Sequence, residues 1–214
     1  MKDIIKKFLV LEKKDQLIFF LLCMSINNFI IGIVKFILSI SIPSLWFGIN
    51  AGFSLILAFC RLNAVKEYRK AKKENNVVNK MRIENKNYQK NGIMLILLGI
   101  MYFFVSSYMY FNGTNTTMHE YITYLVALIA FVSIGTAIYG MVKYKKNTEP
   151  IMKAVKITNF ANALTSMVLT QVVLLDTFAE NYNSNINGYT GMGVSFVIMF
   201  LGLYMILGIK KQMN

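Results

Sequence analysis

Three sets of polar side chains interrupt otherwise apolar runs of this sequence, and they are where chemistry would be sought. Asn28 and Lys35 are seven residues apart, which puts them on one helical face, with Asn27 beside the first. Asn50, Ser54 and Arg61 fall within about 40° of one another at 100° per residue. Asn159, Asn162, Ser166 and Thr170 form a third stripe about 80° wide, flanked by Thr165 and Gln171 and preceded by Lys156. Amide and hydroxyl oxygens can bind a weakly hydrated ion or a polar solute without a formal charge. They are costly to turn toward lipid, so the third stripe is expected to face a helix-bundle interior or a hydrated cavity. The same side chains also serve as hydrogen-bonding glue between helices, and both readings stay open. Lys35 is close enough to the end of its run to snorkel, and Arg61 ends the second run; both read as interface anchors.

Other chemistries lack their residues. The single histidine is His119, in a polar connection, and the apolar runs carry carboxylates only at their edges, such as Asp176 and Glu180. No HExxH, no phosphate-binding Gly loop and no nucleophile–imidazole set occurs in the chain. An enzyme is therefore not expected, nor a cofactor, nor a resident metal. The scattered methionines and both cysteines, Cys23 and Cys60, read as small or adaptable packing residues.

The elements that must position these residues follow from hydropathy. The 214 residues are 56% hydrophobic yet carry a formal net charge of +13. Such a mixture implies segregation, with apolar residues in membrane spans and basic residues in the connections. A bilayer core about 30 Å thick needs about 20 apolar residues as a helix. Six stretches qualify: Leu17–Ile40, Ser44–Leu62, Gly92–Phe111, Tyr121–Val142, Ile157–Leu175 and Met192–Ile209. The first two are separated only by the turn at Pro43 and must form a tight hairpin.

Orientation follows from lysine and arginine. Met1–Gln16 has five Lys, Arg61–Lys90 has ten basic residues, Lys143–Lys156 has five, and Lys210 and Lys211 follow the sixth span. The connections Ser41–Pro43, Asn112–Glu120 and Asp176–Gly191 have none. The expectation is an all-α polytopic membrane protein, a bundle of six transmembrane helices with both termini inside the cell. Residues 1–16 read as a cytoplasmic amphipathic segment lying in the inner interface, where Ile4, Ile5, Phe8, Leu9 and Leu11 alternate with lysines. Residues 17–214 form the membrane domain, with a basic cytoplasmic loop at 61–91. That loop is too polar for a core of its own. Its expected partners are anionic lipid headgroups, and positive-inside topology already accounts for its charge without nucleic acid. The richness in Asn, Lys and Ile fits an AT-rich bacterial genome, in which the sequons at Asn112 and Asn115 are ordinary polar turns.

This layout resembles the transmembrane domain of the cation diffusion facilitator (cation efflux) family. FIIGIVKFILSISIPSLWFGINAGFSLILAF is similar to that family's first hairpin, YKKNTEPIMKAVKITNFANALTSMVLTQVVLL to its fourth connection and fifth helix, and GYTGMGVSFVIMFLGLYMILGIKK to its sixth helix. The resemblance implies a homodimer and a transporter scaffold. It also implies Asp and His ligands, four apart, on the second and fifth helices. Here those positions hold Phe53 and Leu57, or in another register Asn50 and Ser54, and on the fifth helix Asn162 and Ser166. None is a zinc ligand. The His-rich loop and the soluble C-terminal domain of the family have no counterpart in this sequence. The resemblance therefore implies transport of a small solute or ion other than zinc. The alternatives are a non-transporting sensor, assembly or immunity partner, or the substrate-binding subunit of a multisubunit importer.

The charge argument predicts that green fluorescent protein fused after Asn214 fluoresces and that alkaline phosphatase inserted after Asn183 is active. Active phosphatase after Asn214 would refute the orientation.

Overall fold

The computed structural model describes residues 13–41, 45–113, 120–143, 149–179, 183 and 185–213. All regular structure among them is helical: α1 (Lys13–Ser41), α2 (Leu45–Lys73), α3 (Val77–Asn112), α4 (Glu120–Lys143), α5 (Pro150–Phe178) and α6 (Asn185–Met213). Residues 1–12 of the expected amphipathic segment lie outside the described residues, whereas residues 13–16 belong to α1. The two sequons are also largely outside them.

Among the described residues, five helices contain stretches long and apolar enough to cross a membrane: Gly48–Lys73, Val77–Asn112, Glu120–Val142, Pro150–Phe178 and Asn185–Gly208. In α1 an apolar stretch is described over Ser25–Ile40. Large apolar side chains point outward on most of these helices, among them Phe36, Phe104, Phe131 and Phe200. An apolar surface of this extent is stable only against hydrocarbon or another apolar surface. The chain is a multi-pass helical membrane protein.

Several helices run past the expected spans. The 36 residues of α3 make a rod about 54 Å long at 1.5 Å per residue, well beyond a hydrocarbon core of about 30 Å. The basic segment 61–91 is thus the paired ends of α2 and α3, broken only at residues 74–76. There the Asn76 side chain accepts from the Val78 amide at 2.9 Å and caps α3. At the other side, α6 begins seven residues before Met192, because the Asn183 side chain accepts from the Asn185 amide at 3.0 Å and starts the helix early. Pro150 opens α5, where its missing N–H costs nothing.

The helices pack mainly as the pairs α1 with α2, α3 with α6 and α4 with α5. The central element is α5, which touches α2, α3, α4 and α6. Of its most apolar stretch 61% is buried, and 56% of that of α2, against 28% for α4 and α6. These two interior helices carry most of the polar residues singled out above. The core around them includes Phe53, Leu57, Leu95, Tyr102, Val168, Leu169, Ile198 and Met205.

The closest helix pair runs antiparallel, with small residues every seventh position on both sides: Gly92, Gly99 and Ser106 on α3, and Gly188, Ser195 and Gly202 on α6. A seven-residue repeat keeps one seam facing its partner over several turns. A Cβ on Gly202 would lie 2.7 Å from the Gly92 carbonyl oxygen, and one on Gly92 2.9 Å from the Gly202 oxygen. Removing side chains here lets backbone approach backbone, which is how helices gain contact area in lipid.

Two expectations are corrected. Cys23 is exposed on α1, while Cys60 is buried as expected; α1 is held chiefly by α2, so much of its circumference stays open. Arg61 is only 3% exposed and is an interior residue rather than an anchor at the lipid interface. It precedes the core cluster of Ala64, Val65, Tyr68, Ile151, Met152 and Val155, where the α2 extension meets the start of α5.

Gly202→Val should separate α3 from α6 and lower stability in detergent by about 1–3 kcal/mol, the usual cost of overpacking. Gly208→Ala, which meets open space, should leave the unfolding midpoint unchanged or raised.

Candidate functional site

Lys35 is 2% exposed, and its ammonium donates to Ser54 Oγ at 3.4 Å. The Ser54 hydroxyl in turn donates to the Asn50 carbonyl oxygen at 2.9 Å, so it accepts one bond and uses its single proton in another. Asn50 and Ser54 are both buried. The Asn50 amide is within interaction range of the fully buried Tyr102 hydroxyl. Tyr102 also packs edge-to-face on Phe53, with ring centroids 6.0 Å apart. The cluster therefore ties α1, α2 and α3 together.

Of the two roles expected around Lys35, interface anchor and interhelical hydrogen bond, the structure shows the second. A helical side chain leans toward the N-terminus of its own helix. Lys35 lies near the C-terminal end of α1, so its side chain leans away from the α1–α2 turn and toward the interior. Snorkelling toward the near interface would need the opposite tilt. The residue that receives it, Ser54, lies nine residues into α2. Among the described residues no carboxylate pairs with Lys35.

The α5 stripe separates into two kinds of residue. Thr165 Oγ1 donates to the Asn162 carbonyl at 3.0 Å and Thr170 Oγ1 to the Ser166 carbonyl at 2.9 Å, so both hydroxyls are satisfied within their own helix. Asn162 and Ser166 are 4% and 1% exposed, yet Asn162 Oδ1 and Ser166 Oγ have no hydrogen-bond partner among the described residues. Asn159, one turn earlier, is buried on the same face. Among the described residues neither Asn162 nor Ser166 hydrogen-bonds Asn50 or Ser54, although α2 and α5 are in contact. The Asn28 side chain lies outside the described residues; its backbone belongs to α1.

Thr170 belongs to different surroundings. With Gln171 and Thr190 it lines a cavity of about 540 Å³ between α4, α5 and α6, whose other walls are apolar. Gln171 Nε2 donates to Thr190 Oγ1 across this cavity at 2.9 Å. Phe53 and Leu57, one of the two registers for family metal ligands, are buried in the apolar core. Among the described residues no group of three or more His, Cys, Asp or Glu is placed to hold a metal ion.

Asn50 and Ser54 are buried on one face of α2, where Ser54 bonds the Asn50 backbone, and Lys35 and Tyr102 from the neighbouring helices meet them. Lys35 could have been found, since it alone among the 23 basic residues interrupts an apolar run. Tyr102 carries no such signal, being one of 12 tyrosines in a chain rich in aromatics. No protein-family model matches the chain, and no curated protein sequence matches it.

The Lys35–Ser54 pair has an asymmetric signature. Ser54→Ala leaves a buried ammonium without its acceptor and should cost about 1–3 kcal/mol in detergent unfolding. Lys35→Met removes the charge and keeps the bulk, so it should cost less or stabilise. A Ser54→Ala cost no larger than that of Lys35→Met would refute this asymmetry.

Proposed function

We propose that this protein is a transporter-like membrane protein of six spans with both ends in the cytoplasm, passing a small solute or ion other than zinc. The path runs by Asn50 and Ser54 on α2 and by Asn159, Asn162 and Ser166 on α5. The observation that carries this reading is the pair of buried oxygens on Asn162 and Ser166 that have no hydrogen-bond partner among the described residues. Leaving a buried polar group unpaired costs about 1–3 kcal/mol. Residues kept only as helix glue would be bonded across the interface, as Thr123 and Thr177 are, with their hydroxyls 2.7 Å apart. Oxygens left open on the most central helix fit a transient ligand that supplies the missing bond.

The Lys35 ammonium bears on the choice of solute. It reaches Ser54, and a positive charge with no carboxylate partner among the described residues opposes a divalent cation close by. An uncharged or monovalent solute fits better. The resemblance to cation efflux proteins supports the scaffold and a homodimer, and the loss of acidic and imidazole ligands supports the change of cargo. A partner protein that used the α5 stripe for docking has less support, because this chain's own helices already cover those residues.

Proteoliposomes carrying the protein should pass at least one member of a panel of small polar solutes and monovalent ions faster than empty vesicles. In the Asn162→Ala, Ser166→Ala double variant that rate should fall about 10-fold with the unfolding midpoint retained. Equal rates in protein-containing and empty vesicles across the panel, or in the variant and the unaltered protein, would sink the reading.

A further inference from the structure

The extended ends of α2 and α3 enclose a second polar place, separate from the path above. It is a cavity of about 400 Å³ lined by Glu67, Lys70, Arg82, Ile83, Lys86, Asn87 and Lys90. Arg82, Lys86 and Lys90 follow one another at four-residue intervals, one row on the face of α3. Like charges at that spacing repel and destabilise a helix. Lys70 adds a fourth cation from α2. The only carboxylate in the lining, Glu67, is three residues from Lys70 and offsets one of the four. Glu84, on the same helix, pairs instead with Lys80 at 3.9 Å. The cavity is left strongly positive.

Asn87 gives the cavity a direction. It is 2% exposed, and its Oδ1 accepts from Asn91 Nδ2 at 3.0 Å, while the same Asn91 nitrogen reaches the Asn87 carbonyl at 2.9 Å. This arrangement commits the amide oxygen. The Asn87 NH2 has no acceptor among the described residues, and Asn87 is one of the residues that line the cavity. A buried donor without an acceptor among four cations is suited to an anion with several oxygens.

An apolar groove continues from it. Lys90 also lines a neighbouring cavity of about 240 Å³, with Phe59, Cys60, Asn63, Asn91, Ile93, Met94 and Leu97. Phe59, Ile93, Met94 and Leu97 are outward-facing, so this groove opens where hydrocarbon would lie. Lys90 and Asn91 immediately precede the third apolar stretch, which begins at Gly92. A cationic pocket meeting an apolar groove at a membrane boundary has the shape of a phospholipid.

We propose that these two adjacent cavities, which share Lys90, bind one anionic phospholipid, its phosphate held by Lys70, Arg82, Lys86, Lys90 and the Asn87 amide, and an acyl chain lying along Phe59, Ile93, Met94 and Leu97. This goes beyond a diffuse attraction of basic residues to an acidic leaflet, since it assigns particular charges and excludes others. It does not depend on the transport reading.

The full chain in neutral detergent can be titrated with dihexanoyl phosphatidic acid, dihexanoyl phosphatidylcholine and inorganic phosphate, with binding read by native mass spectrometry. Phosphatidic acid should bind at least about 10-fold more tightly than either of the others. Arg82→Gln with Lys86→Gln, both at exposed positions, should weaken it about 10-fold or more. Lys66→Gln with Arg69→Gln removes the same charge outside the lining and should change affinity less than about twofold. Asn87→Leu should weaken phosphatidic acid binding with the helix content kept. Equal affinity for phosphate and phosphatidic acid would overturn the lipid assignment. Equal loss from the two charge-removing pairs would reduce the site to general electrostatics and overturn the proposal.

Discussion

Hydrocarbon offers no hydrogen bonds, so each polar atom at membrane depth must find its partner inside the protein. This constraint shapes the whole molecule. It makes every described element a helix, because a helix bonds its own backbone. It draws Asn50, Ser54, Asn159, Asn162 and Ser166 to the inside, and it places α2 and α5, the helices that carry them, where burial is deepest. It also bends the side chain of Lys35 inward to a serine rather than outward to water.

The constraint is met unevenly, and the unevenness is informative. Most hydroxyls in the spans are satisfied by the carbonyl three or four residues back, as Ser106, Ser133, Thr158 and Ser195 show. These need no neighbour and carry little information about function. Asn162 and Ser166 break the pattern within a single turn of the same helix. The proposed path rests on that difference. At the membrane boundary Asn87 poses the same problem with a donor in place of an acceptor, in a positive rather than a neutral setting.

Close packing supplies the rigidity that such sites need. The glycine and serine heptads of α3 and α6 bring two backbones together over several turns, leaving α5 as the element that bridges this pair to α2 and α4. The α4 helix is the least committed, packed mainly on α5, with Tyr121, Tyr124, Leu128 and Phe131 facing outward. The 540 Å³ cavity lies along its seam, where the packing is loosest.

Hydropathy and charge spacing are properties of local sequence, and they were enough for the class of fold, for the interior face of α5 and for the shared face of Asn50 and Ser54. Lysine and arginine placement is likewise the whole argument for which side each end faces. Tertiary structure alone decided the rest. Which of four stripe residues keeps an open oxygen depends on rotamers and on neighbours from other helices, and Thr170 and Ser166 look alike on a wheel. Lys35 reads as an anchor until the position of Ser54 across the hairpin is known. The basic segment reads as ordinary positive-inside composition until α2 and α3 extend side by side and bring Lys70 opposite Arg82, Lys86 and Lys90. In each case the sequence specifies what a side chain can bond, and only the packing of distant segments specifies what it meets.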